Sequence, residues 1–283
     1  MARGISLHIG INSVDPAHYD GWSGELNACE ADAEDMFTLA QSLEYEATKL
    51  LTKEASRSAV TAAIRNAGEL LQPGDIFFLT YSGHGGQLPD LNGDEDDGVD
   101  ETWCLYDGEL VDDALYGLFC RFKPGVRIFM LSDSCHSGSV AKEVYERLAK
   151  TMADRRLFDP LSGQVVGPKF RGMPIDAARR TYLKNKKQYD KELLEADPEA
   201  RAKVTASVRL ISGCLDDQLS SDGVFNGVFT SRLKRVWANG KFEGNYEAFH
   251  KAIVAKMPAD QTPNHFVYGA KNPEFDAQKP FQI

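Results

Sequence analysis

The 283-residue sequence contains no run of about 18 apolar residues, so nothing in it reads as a transmembrane helix. No basic segment followed by a long apolar stretch stands at its start, so a secretory signal is not expected. Cysteine is sparse: Cys29, Cys104, Cys120, Cys135 and Cys214 are an odd number, far apart, with no C-x-x-C pair. That spacing argues against a zinc ribbon or a disulfide framework and makes a reducing cytoplasm the expected location. Positive charge is also short, with 32 Lys and Arg against 42 Asp and Glu and a net charge of −10. A general nucleic-acid binder needs a basic face, so that class is excluded, as is a membrane partner. There is no internal repeat, and low complexity is confined to the acidic stretch 90–101.

What is present is an ordinary globular composition, 42% hydrophobic and 26% charged, enough for one large core. Short apolar runs at 5–12, 75–82, 126–132 and 208–212 read as strands, the last three as strands buried on both faces. Helical spacing marks 28–43, 56–71, 111–122, 227–238 and 243–257, and 264–268 reads as a last strand. Alternating strand and helix predicts an α/β fold, with a central mostly parallel sheet covered by helices on both faces. Residues 139–206 break the alternation. They are polar, carry 15 Lys and Arg against 10 Asp and Glu, and read as an insertion, helical at 141–152 and 177–196, within a single domain spanning 1–283. The rest of the chain therefore carries −15 and this insertion +5.

In an open parallel sheet, ligands bind beyond the carboxyl ends of the strands. The strand ending at Ser82 delivers His84 between glycines, in a segment read as a loop. The strand ending at Ser132 delivers Cys135 among small polar residues. A thiol on such a turn with an imidazole from a separate strand is the arrangement for nucleophilic attack on an acyl group. His136, adjacent to the thiol, diverges from it and is the poorer base; His8, His18, His250 and His265 read as structural. Competing thiol chemistries fail on residue identity. A Cys-based phosphatase needs Arg where Ala141 stands. A nucleophile elbow needs glycines where Asp133 and Ser137 stand. Zinc needs more ligands than Cys135 and His136.

The segments Tyr81-Ser82-Gly83-His84-Gly85-Gly86 and Asp133-Ser134-Cys135-His136-Ser137-Gly138 closely resemble the metacaspases, caspase-fold cysteine peptidases found outside animals. His84 and Cys135 lie 51 residues apart, against about 50 known for caspases. The resemblance covers roughly 5–140 and 207–270. It implies a caspase-like α/β/α sandwich and an endopeptidase cleaving after Arg or Lys, in which Cys135 attacks the peptide carbonyl and His84 moves the proton. The backbone N–H groups of Gly85 and Cys135 would form the oxyanion hole. The pocket for the residue before the cut bond (P1) would be walled by Cys29, Asp32, Ser82 and Asp133. Alternation in a strand supports this for two of them, since Ser82 and His84, and Asp133 and Cys135, share faces. Carboxylates there favour a basic P1 and repel an acidic one. Ala31 stands where the family often has Asn. The resemblance also implies a monomer, and the early first strand leaves no room for a prodomain. Alternatives are a catalytically silent scaffold or adaptor, a same-clan protease with another P1 preference, and a calcium sensor.

The acidic stretch fails the EF-hand pattern because Glu95 stands at the glycine position. By resemblance, Asp100, Asp112 and Asp113 match acids of a calcium-activation site, but Lys142 replaces a fourth. Calcium dependence is thus an open expectation. The basic pairs Arg155-Arg156, Arg179-Arg180 and Lys186-Lys187 suit self-cleavage by a basic-P1 protease, although a solvated helical excursion explains most of them equally well.

Overall fold

A computed structural model describes residues 2–93, 98–134, 157–159, 164–166, 169–214, 222–223, 226–259 and 261–283. The strands are β1 Gly4–Gly10, β2 Glu46–Leu51, β3 Ile76–Ser82, β4 Gly85–Pro89, β5 Val99–Leu105, β6 Gly108–Val111, β7 Arg127–Asp133, β8 Leu157–Asp159, β9 Gln164–Val166, β10 Ser207–Ser212 and β11 Asn264–Gly269. The α-helices are α1 Cys29–Ser42, α2 Arg57–Leu70, α3 Asp112–Phe119, α4 Ile175–Glu195, α5 Ala200–Lys203, α6 Val228–Trp237, α7 Tyr246–Val254 and α8 Pro273–Ala277. Six strands form the central sheet in the order β11-β10-β7-β3-β1-β2, parallel except for β11.

Alternation along the buried strands sorts side chains between two layers. Phe77 and Leu79 of β3 face one core with Ile128 and Met130 of β7, closed by Val60 and Ile64 of α2 and Leu115 and Phe119 of α3. Ile76 and Phe78 face the other with Phe129 and Leu131, closed by Met36 and Ala40 of α1, Phe229 and Leu233 of α6 and Phe249 and Ile253 of α7. Each such fully buried side chain contributes about 1.5–3 kcal/mol. The mostly parallel α/β/α sandwich expected from the sequence is the fold observed.

Several local readings need correction. Gly85 does not continue a loop; it opens β4, which joins β5 and β6 in a separate antiparallel sheet. That strand reads GGQLP, too short and too rich in glycine to show alternation. The helix expected at 111–122 begins at Asp112 and ends at Phe119. Strand β2 escaped notice because an exposed edge strand keeps only partly buried positions. The second half of the insertion packs closely on the body. Tyr189 of α4 is fully buried, its hydroxyl bonded to His18 Nε2 at 2.7 Å and accepting from Glu109 N at 3.1 Å. Arg57 pairs with Glu192 on the same helix. The helix read at 141–152 lies outside the described residues.

Candidate active site

The site is assembled where three strand ends meet a helix start. Register places Gly10 beside Ser82, and Ser82 beside Asp133. Helix α1 has Ala28 at its N-cap, with no side chain to satisfy the first N–H groups. Asn12, just beyond β1, supplies the acceptor: its Oδ1 takes bonds from Cys29 N at 2.9 Å and Glu30 N at 3.3 Å. That contact pins the first turn of α1 over the strand ends and carries Asp32 to Ser82, whose hydroxyl donates to Asp32 Oδ2 at 2.8 Å. From the far side, Gly227 N at the start of α6 and Asn226 Nδ2 each donate to Asp32 Oδ1 at 3.0 Å.

A fully buried arginine of the same chain lies at the centre of this arrangement. Arg171 Nη2 bonds Asp32 Oδ2 at 2.6 Å and Asp222 Oδ1 at 3.0 Å, and its Nη1 bonds Asp133 Oδ2 at 2.6 Å and Ser82 Oγ at 2.8 Å. Burial opposes the guanidinium charge, but Asp133, Asp32 and Asp222 outweigh it and hold its pKa well above the usual value. Burial pushes Asp32 up to about 6 although Arg171 pulls it down. Burial also pushes up the thiol of Cys29, which sits within electrostatic reach of Arg171. A side chain on Gly227 would begin 2.5 Å from Arg171 Nη2, so glycine there makes room for the guanidinium.

His84 stands beside this pocket. Its Nε2 lies 3.0 Å from the carbonyl of Gly24. A carbonyl only accepts, so Nε2 carries the hydrogen and Nδ1 holds the free lone pair. Nδ1 is buried with no hydrogen-bond partner among the described residues. Trp22 covers the ring, with centroids 4.8 Å apart. Burial pushes the imidazole down to about 4, against the Gly24 carbonyl, so it rests neutral. Gly24 itself has φ of +52°, and a Cβ on it would lie 2.9 Å from Trp22 and 3.1 Å from His84. Gly24→Ala is therefore expected to strain the loop and displace the ring, lowering stability by about 1–3 kcal/mol as measured by chemical denaturation.

The sequence-predicted residues fare unequally. Asp32, Ser82 and Asp133 come together, with Cys29 behind them and His84 and Gly85 alongside. Cys135 and His136 lie outside the described residues. Asp100 is buried on β5, and Asp112 and Asp113 open α3, where Asn92 Nδ2 donates to Asp113 Oδ2 at 2.8 Å. Among the described residues, no three His, Cys, Asp or Glu side chains form a group able to hold a metal. No helix among the described residues is long and apolar enough to cross a membrane. Arg171, Asp222 and Gly24 were missed, the first because it stands in the stretch read as an insertion. Asp222 lies within the part of the chain that the resemblance covers, yet nothing in its local pattern marks it as a pocket acid. Gly24 sits in a loop with no motif, and only its carbonyl acts.

A caspase-like sandwich with acids gathered beside a strand-end histidine defines the class. The sequence profile of the caspase domain matches residues 3–281, and the chain belongs to that family. It is 34% identical to metacaspase-1A of Aspergillus terreus over 258 residues, covering 82% of this chain and 60% of that protein. It is 33% identical to metacaspase-1 of Coccidioides immitis over 256 residues, covering 82% of this chain and 53% of that one. The chain thus spans little more than half the length of these relatives. A crystal structure of a Geobacter sulfurreducens protein superposes with a TM-score of 0.88 at 50% identity, covering 99% of both chains. Caspase-1 of Spodoptera frugiperda superposes at 0.52 with 10% identity, covering 95% of this chain and 86% of that one, and shares the fold.

Proposed function

We propose that the protein is a cysteine endopeptidase cutting peptide bonds after Arg or Lys, with Cys135 as nucleophile and His84 Nδ1 as base. The observation that supports this most is the gathering of Asp32, Asp133 and Asp222 around one guanidinium beside an imidazole with a free Nδ1. Three buried carboxylates facing one cavity repel each other, and a basic side chain relieves that repulsion where an acidic one worsens it. The Gly85 N–H is the donor available to the oxyanion, and losing such a donor typically costs about 3 kcal/mol. In the reaction His84 takes the thiol proton as sulfur attacks the carbonyl carbon, then gives it to the departing amine. Water releases the acyl group from sulfur.

The test is a set of peptides differing only at P1 as Arg, Lys, Asp or Asn. Cleavage after Arg and Lys, at least 10²-fold faster than after Asp, is expected. Cleavage after Asp alone would overturn the pocket assignment, and no cleavage of any peptide under any condition would favour a silent scaffold. Calcium activation, implied through Asp100, Asp112 and Asp113, is tested in the same assay: a calcium-dependent enzyme loses activity in excess chelator. An unchanged rate would remove calcium from the proposal.

A further inference from the structure

We infer that this chain is its own first substrate, with Arg171 as the P1 residue and Arg171–Gly172 as the bond that its site cuts. This rests on the peptidase reading above and adds which bond is cut first and what holds the site closed until then.

Residues 169–173 cross the site with bridge residues at Phe170 and Gly172 and a bend at Arg171 between them. The Lys169 carbonyl accepts from Asp222 N at 2.9 Å, on the side that would precede the cut. The Arg171 side chain fills the acid pocket, and its carbonyl accepts from Gly85 N at 2.9 Å, the donor assigned to the oxyanion. The Gly172 backbone carbonyl lies within reach of the His84 ring and favours its protonated form, placing the bond after Arg171 beside the imidazole. Beyond it, Met173 N donates to Gly85 O at 2.7 Å, and Gly172 pairs with Gly85 as a parallel bridge. Main-chain bonds thus hold the segment on both sides of one peptide bond, as a protease holds a substrate strand. The other described basic pairs lack this geometry. Arg179, Arg180, Lys186 and Lys187 all lie within α4 with exposed side chains, and a helix must unwind before its backbone fits an extended cleft.

The chemistry balances within one chain and one water. The Cys135 sulfur bonds the Arg171 carbonyl carbon, the bond from that carbon to Gly172 N breaks, and the thiol proton passes through His84 to that nitrogen. Water then replaces sulfur. The products are a carboxylate at Arg171 and a free amine at Gly172. The two pieces stay assembled, because β10 from the second lies between β7 from the first and β11. Until the cut, Arg171 occupies the pocket that an external Arg or Lys needs.

The test follows the full chain by intact mass under denaturing conditions while an arginyl peptide reports activity. Wild type is expected to yield fragments 1–171 and 172–283 with first-order kinetics unchanged over a hundredfold dilution. Peptide cleavage should show a lag that tracks the fragments. Cys135→Ala should stay whole. Arg171→Lys, which keeps the pocket charge and guards against misfolding, should still be cut at the same bond. Arg171→Gln should remain uncut there and cleave the peptide without a lag. Wild type that cleaves arginyl peptides while remaining whole at 171, or is cut only elsewhere, would overturn the inference and leave the peptidase reading standing. So would a cut rate that scales with protein concentration. Failure to cut either its own chain or any peptide would overturn both.

Discussion

Asp32→Asn is expected to lower kcat/KM for arginyl and lysyl peptides by about 10²–10³, mostly through KM. Both Asp32 oxygens accept from donors alone: Oδ2 from Arg171 Nη2 and Ser82 Oγ, and Oδ1 from Asn226 Nδ2 and Gly227 N. The amide of Asn must therefore turn an NH2 against donors whichever way it faces. The substitution removes a charge and also leaves buried donors opposed, which costs about 1–3 kcal/mol. The same residue sets a pH dependence. Burial raises its pKa to about 6, above the usual carboxylate value. A raised acid contributes stability fully below its unfolded pKa and loses it as pH rises through 6, so acidification costs no stability at this carboxyl. It does neutralise the acid that holds the basic side chain. Wild-type kcat/KM on an arginyl peptide should thus fall on acidification through the raised Asp32 pKa, while His84, already neutral down to about pH 4, does not produce that limb. Asp32→Asn should lose the limb along with the affinity. A limb that survives the substitution unchanged would place the titration elsewhere.

The sheet was legible because its strands are buried on both faces. DIFFLTYS at 75–82 and VRIFMLS at 126–132 have no competing helical period, and the turns at Gln72-Pro73-Gly74 and Lys123-Pro124-Gly125 bound them. Strands β2 and β4 were not legible, since an edge strand and a glycine-rich hairpin arm keep too few buried positions to show a period. In the site, His84 was readable from its place at a strand end. Asp32, Cys29 and Gly85 came through resemblance. What the sequence hid are contacts between distant segments. Asp222 reaches the pocket from 190 positions after Asp32, and the Gly24 carbonyl fixes the His84 tautomer through an atom every residue possesses. Arg171 stood in a stretch read as an insertion with a solvated basic surface. A basic composition says nothing about which arginine is buried in the site, and that is decided by the bridge from its neighbour Gly172 to Gly85 and by three acids from α1, β7 and a loop.

His84→Gln should produce the complementary failure, a fall in kcat of about 10³ with KM for an arginyl peptide within a few-fold of wild type. The acid pocket does not depend on the imidazole: none of the bonds that Asp32, Ser82, Asp133 and Asp222 make to Arg171 involves His84. The glutamine amide can still donate to the Gly24 carbonyl, so the bond that orients the wild-type ring has a partner and the fold is expected to persist, with Tm within a few degrees. What is lost is a basic nitrogen on the other side of the ring. Nδ1 is free because Nε2 must keep its hydrogen for Gly24, and no amide supplies an equivalent proton acceptor. In the proposed reaction, the free Nδ1 is the atom that would take the thiol proton. Steady-state kinetics of His84→Gln and Asp32→Asn on one peptide separate the two roles. Loss confined to kcat in the first and concentrated in KM in the second is expected, because the proposed proton transfer and charge recognition rest on different side chains. A His84→Gln enzyme that loses KM as heavily as kcat would show that the ring holds substrate instead of moving its proton.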